Sequence, residues 1–164
     1  MPAAASISRR QLLKGRAQPK PFEPRPPGVD PISVASCTGC GECLEVCPER
    51  ILALRDLRVV LLPEMGECIF CGKCAEVCPE PVFSESRLMA HLVDISGDCL
   101  ARAGITCMTC RDACPEAAIS MRPRIGGPFL PVLDPELCNG CGACVAPCPS
   151  QAITAIPREY SDEG

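Results

Sequence analysis

Apolar residues in this chain come in short bursts rather than along extended faces. Arg58-Val59-Val60-Leu61-Leu62 and Ala90-His91-Leu92-Val93-Asp94-Ile95 have the β-branched character of short strands. An apolar pair also recurs at a fixed offset after each of four Cys-Pro steps: Ile51-Leu52, Val82-Phe83, Ala118-Ile119 and Ala152-Ile153. Each pair is expected to form a helical turn that leads into a strand. Nineteen prolines and thirteen glycines argue against long regular elements, and Pro19 to Pro31 reads as a stiff, extended linker. No apolar run reaches the roughly 20 residues needed to cross a bilayer. The expected class is α+β, built from tandem repeats of short strands and short helices.

Composition changes this picture. The 164 residues include 16 cysteines but no Trp, one Tyr and four Phe. Such a core is thin and needs staples, either disulfides or metal. Spacing chooses between them. Cys138-Asn139-Gly140-Cys141-Gly142-Ala143-Cys144-Val145-Ala146-Pro147-Cys148-Pro149 is the C-x2-C-x2-C-x3-C-P run by which bacterial ferredoxins hold iron–sulfur clusters. Three thiolates on one tight loop can reach three irons of a cubane, and a helical turn points the fourth elsewhere. Gly140 and Gly142 are expected to keep side chains clear and to aim N–H groups at cluster sulfurs. Pro149 suits a turn out of the site. Disulfide pairing suits such tight triplets poorly, and zinc sites usually show C-x2-C pairs. With inorganic clusters forming much of the core, the apo-chain is expected to be largely unfolded.

Two further runs are regular: Cys37, Cys40, Cys43, Cys47 and Cys68, Cys71, Cys74, Cys78, which begin 31 residues apart. The third is gapped. Seven residues, instead of two, separate Cys99 from Cys107, which is followed by Cys110 and Cys114, and no glycine lies between Cys107 and Cys114. Cys99 either completes a fourth site across the insertion or is a spare thiol, and ligation is favoured because a lone thiol there invites oxidation. The second thiol of each run, whose loss commonly yields three-iron clusters, is present as Cys40, Cys71, Cys107 and Cys141. Four [4Fe–4S] clusters are therefore expected, with all sixteen cysteines as ligands. The last thiol of each run either crosses to the partner run's cluster or serves its own. The expected organisation is a basic leader with linker over 1–36, one repeat pair over 37–90 and a second over 91–164.

The leader carries Arg9, Arg10, Lys14, Arg16, Lys20 and Arg25 against Glu23 and Asp30. Its net charge of +4 leaves −8 on the rest of a chain whose formal charge is −4. Ser8-Arg9-Arg10-Gln11-Leu12-Leu13-Lys14 looks like a twin-arginine signal, but the apolar stretch such signals need does not come after it. It reads as a docking arm or as a solvated charge run. This leader, the four runs and the segment Gly97-Asp98-Cys99-Leu100-Ala101 together resemble the NapF-type ferredoxin-like accessory proteins of the periplasmic nitrate reductase system. The resemblance covers nearly the whole chain. It implies a soluble cytoplasmic protein that binds the reductase's catalytic subunit before export and helps it mature, by delivering or reducing its iron–sulfur cluster.

The alternative is a polyferredoxin subunit relaying electrons to a reductase or hydrogenase, which the runs alone do not separate from the first reading. A structural zinc or disulfide protein is disfavoured. No catalytic site is expected: His91 is the single histidine, placed in a strand-like run as filler. Lys73, Arg111 and Asp112 lie beside cysteines and are expected in solvent. The acidic repeat region argues against nucleic acid as a partner.

Overall fold

The computed structural model describes residues 22–86 and 88–158. Among the described residues, three antiparallel strand pairs, three one-turn α-helices and the 3-10 turn Ser33–Ser36 make up the regular structure, in keeping with short α+β elements. Strands β1 (Leu52–Arg55) and β2 (Arg58–Leu61) form a hairpin with Leu52 opposite Leu61. Asp56 and Leu57 close it with φ of 50° and 59°, the double positive φ of the turn that matches strand twist. Strand β3 (His91–Ile95) pairs with the far end of the chain, β6 (Ile153–Pro157), and β4 (Ile119–Arg122) pairs with β5 (Leu130–Leu133).

The helical turns do not come after the prolines as expected. Helices α1 (Glu42–Glu45), α2 (Lys73–Glu76) and α3 (Thr109–Asp112) lie inside the first three cysteine runs, and residues 143–147 of the fourth form turns only. Each proline except Pro79 leads into a β-turn instead. Arg50, Ala117 and Gln151 adopt φ of 54°, 52° and 51°. Their amides donate to Cys47, Cys114 and Cys148 carbonyls at 3.2, 3.3 and 3.1 Å. Strands β1, β4 and β6 then start on the second residue of each apolar pair. The Val82-Phe83 pair starts no strand. The equivalent turn residue there is Pro81, whose ring excludes positive φ and whose nitrogen has nothing to donate.

Two buried clusters form the core. Val29, Ile51, Val59, Leu61, Val82 and Met89 anchor the first, while Val93, Ile95, Ile119, Ala152 and Ile153 anchor the second. Val29 and Val34 belong to the first, so the described part of the stretch read as a stiff, extended linker packs on the first unit. Val29 and Val34 are 2% and 6% exposed. The Leu61 amide donates to the Pro24 carbonyl at 2.8 Å, and Ser84 N–H to Gly28 O at 2.8 Å. Arg25 donates to the Val59 carbonyl and Arg58 to the Val34 carbonyl, so Arg25 is a structural tie. The basic run of residues 9–20 lies outside the described residues.

Candidate metal centres

The thiols converge in four sets. Cys37, Cys40 and Cys43 line one recess with Cys78, whereas Cys68, Cys71 and Cys74 line another with Cys47. Cys138, Cys141 and Cys144 meet Cys114, while Cys107 and Cys110 meet Cys99 and Cys148. These sets are called I (37/40/43/78), II (47/68/71/74), III (114/138/141/144) and IV (99/107/110/148). In each, three thiols come from one run and the last is borrowed from the partner run. This is the crossed arrangement of the two left open by spacing. The helical turn between the third and last thiols makes the crossing, and α1 packs on α2 between sets I and II. Cys99 stands in set IV, 8% exposed, and is no outlying thiol. The insertion after it closes on itself, with Ala103 N–H donating to Cys99 O at 3.0 Å and Ile105 N–H to Leu100 O at 2.9 Å.

Electrostatics match the same grouping. Burial, then the charges of Cys37, Cys40 and Cys78, push the Cys43 thiol up to about 11. Burial with Cys141, Cys114 and Cys138 pushes Cys144 up to about 12. Burial first, then chiefly Cys68, lifts Cys74 to about 11, and burial likewise raises Cys68, Cys110 and Cys141. Four thiolates gathered in a half-dry recess repel one another, so the sets are stable as thiolates only around cations. Among the described residues no three His, Cys, Asp or Glu side chains could together hold a single metal ion. A zinc tetrad would bring its sulfurs to about 2.3 Å from one point. Thiols ringing a recess fit a four-iron cubane instead. When bound, such a cluster supplies one-electron redox chemistry. Donors stand ready at the sulfurs. Ala152 N–H points at Cys148 Sγ at 3.4 Å, and Thr109 Oγ1 lies 3.6 Å from Cys107 Sγ. Hydrogen bonds of this kind tune cluster potentials.

Exposure separates the sets. Cys40 and Cys71 are exposed, whereas Cys43 is buried in set I, Cys141 and Cys144 in set III, and Cys99 and Cys110 in set IV. The recess at set II is the largest of the four, a cavity of about 250 Å³ that extends past its thiols to Pro26, Ile51, Leu61 and Ser86.

Gly140 and Gly142 have φ of 84° and 85°, as their placement suggests, but the space they leave is not for a cluster. A Cβ on Gly142 would lie 2.7 Å from Pro63 Cβ, and one on Gly140 2.8 Å from His91 O. Both let the fourth run press against the first unit and the start of β3. At the same seam Cys68 N–H donates to Cys141 O at 2.9 Å.

His91 is 1% exposed, and its Nε2–H donates to Gly140 O at 3.1 Å. Nδ1 has no hydrogen-bond partner among the described residues. Burial lowers its pKa to about 4, with Arg158 adding to the drop and the Gly140 bond opposing it. The ring is thus a neutral brace on the fourth run, a more specific role than filler. Arg111 and Asp112 are exposed and paired with each other, and Lys73 is exposed. Three bracing residues escaped the sequence reading. Asn139 Oδ1 accepts from Cys141 N–H at 3.0 Å, and its Nδ2 donates to Glu116 at 2.9 Å, which joins the two runs that build set III. Its place ahead of a turn glycine was the available signal. Arg158 donates to the Cys138 carbonyl from beyond β6, and nothing local in the sequence marks it.

Residues 31–79 and 105–152 each match a 4Fe–4S dicluster domain family. The chain is 41% identical over 167 residues to the ferredoxin-type protein NapF of Haemophilus influenzae, covering 91% of this chain and 93% of that one. It is 50% identical over 56 residues to ferredoxin-type protein NapF of Escherichia coli K12, covering 34% of each. A 50-residue stretch is 44% identical to one subunit of the Na(+)-translocating ferredoxin:NAD(+) oxidoreductase complex of Acetobacterium woodii, covering 30% of this chain and 14% of that one. The chain is thus a ferredoxin-type protein with two tandem dicluster units and several [4Fe–4S] clusters.

Proposed function

The chain belongs to the NapF family of ferredoxin-type proteins, and from that premise we propose that it is a cytoplasmic accessory protein that binds the catalytic subunit of the periplasmic nitrate reductase before export. It carries four [4Fe–4S] clusters on sets I to IV, with all sixteen cysteines as ligands, and uses them to deliver or reduce the subunit's own cluster. The observation that carries this reading is the gathering of every thiol into one of four crossed sets. The chain's single histidine is buried as a brace, so its side chain is committed to holding the cluster loops. No helix among the described residues is long and apolar enough to cross a membrane, so contact with a membrane-bound system goes through a partner.

The test is anaerobic purification followed by capture. About sixteen iron and sixteen acid-labile sulfide per chain are expected for four cubanes. The loaded chain should retain the unexported catalytic-subunit precursor, and deletion of residues 1–20 should weaken capture without changing iron content. A loaded chain that does not retain the precursor overturns the accessory role.

A second reading, an electron-transfer subunit of a larger oxidoreductase, draws on the likeness to the Acetobacterium woodii protein. Stable co-purification with such a complex, with no precursor bound, would favour it.

A further inference from the structure

The two dicluster units meet at one seam, and the seam lies between two thiol sets. Cys68 belongs to set II and Cys141 to set III. The amide of the first donates to the carbonyl of the second at 2.9 Å, within ordinary N–H···O range. A route therefore runs from Cys68 Sγ through its Cβ, Cα and N–H, across one hydrogen bond, and through the Cys141 C=O, Cα and Cβ to Cys141 Sγ. Every other step on that route is a covalent bond. Within each unit the crossed last thiols already tie I to II and III to IV.

The seam is also built to be close. The same glycine comes after the second thiol of runs one, two and four, as Gly41, Gly72 and Gly142, with φ of 87°, 80° and 85°. A Cβ on Gly41 would meet nothing within 4 Å, and one on Gly72 only the tip of Glu76 at 3.9 Å. On Gly142 it would meet Pro63 Cβ at 2.7 Å, with Gly66 O at 3.7 Å. The left-handed conformation explains a glycine at all three positions, but only at Gly142 does the missing side chain bring the two units together.

We propose that the four sets form one electron path in the order I–II–III–IV, joined across the units at the Cys68–Cys141 hydrogen bond, and that Gly142 sets how close the joint is. The proposal rests on the reading of the thiol sets as cluster sites. With clusters held by these thiols, the one on set II would give up one electron and the one on set III would take it up. No proton moves and no bond changes, and the electron comes from an external one-electron reductant. Two separate dicluster domains would have no need of a jammed glycine at their seam.

The experiment uses the full chain, loaded and reduced anaerobically, and reads iron, sulfide and the low-temperature electron paramagnetic resonance spectrum. Neighbouring reduced clusters broaden one another's signals. Gly142→Ala should keep four clusters' worth of iron and measurably weaken the II–III part of this coupling. Gly41→Ala imposes the same backbone strain where nothing is packed, and should keep the full coupling. Full iron with unchanged coupling in Gly142→Ala overturns the proposal. Should Gly142→Ala fail to load, Cys74→Ser decides: removal of set II should sharpen the signal of set III, and an unaltered set III signal overturns the proposal. An iron-free or zinc-bound wild type would instead sink the cluster reading itself, a result distinguishable from pairwise coupling at full iron.

Discussion

After its last run the second unit turns at Gln151, enters β6 and pairs five residues with β3, from Ile95 opposite Ile153 to His91 opposite Pro157. The first unit brings the corresponding segments together and builds no strand from them. Gly28 lies beside Ser84, Ser86 and Leu88, held by Gly28 N–H to Leu88 O at 3.3 Å and Ser84 N–H to Gly28 O at 2.8 Å. Pro24, Pro26 and Pro27 remove donors on one side, and Pro81 forbids the turn that would launch the other. Yet both units cross their last thiols in the same way. The thiol sets and not the ladders therefore organise each unit. The ladder controls cover: set II, beneath the unladdered segment, has the open recess and the exposed Cys71, while both sets of the second unit keep two thiols buried.

The largest effect on this comparison comes from removing thiols. Cys144→Ser should lower iron by about four per chain, and Cys99→Ala should do the same at set IV. Full iron in Cys99→Ala would return that thiol to a spare. Next is Gln151→Pro, which gives the second unit the first unit's turn defect. It should cost about 3 kcal/mol, read as a lower guanidinium midpoint for loss of visible absorbance, with crossed ligation kept. Loss of both clusters of that unit would mean that the ladder is needed for the sites after all.

His91 braces the fourth run through Gly140, with the Phe22 ring 6.1 Å from its own. With its pKa lowered from 6.5 to about 4, the unfolded chain binds more protons between those values. Stability is then fully present above pH 6.5 and falls as the pH drops towards 4. The loss is about 2 kcal/mol by pH 5. His91→Gln, which keeps a donor for Gly140 O, should show a smaller midpoint drop between pH 7 and pH 5 than the wild type. An equal drop would assign the acid sensitivity elsewhere. Smallest is Asp30→Ala in the first unit. Asp30 Oδ1 accepts from Ile32 and Ser33 N–H at 2.7 and 2.8 Å ahead of the one-turn 3-10 helix Ser33–Ser36. Its loss should cost about 1 kcal/mol without touching iron content.

Much of this was legible along the chain. The Arg58–Leu62 and Ala90–Ile95 bursts became β2 and β3, because a half-buried strand over a small core needs only a few β-branched residues. The position of the helical turns was misread, since the apolar pair after Cys-Pro looks the same whether it ends a turn or opens a strand. The Pro19–Pro31 linker reading falls short for a related reason: its prolines suggest an extended spacer, and Val29 is too faint a sign that its described part packs.

Local spacing determined the chemistry. Three thiols two residues apart can serve only a centre that one loop can surround, so cluster type and repeated architecture can be read from the runs alone. Contacts between distant residues decided the rest: which last thiol joins which set, where Cys99 goes, and what Gly142 is for. Cys47 beside Cys68, Cys99 beside Cys148 and Gly142 against Pro63 are products of chain reversal and packing. Their energies belong to the assembled core, and no stretch of sequence carries them by itself.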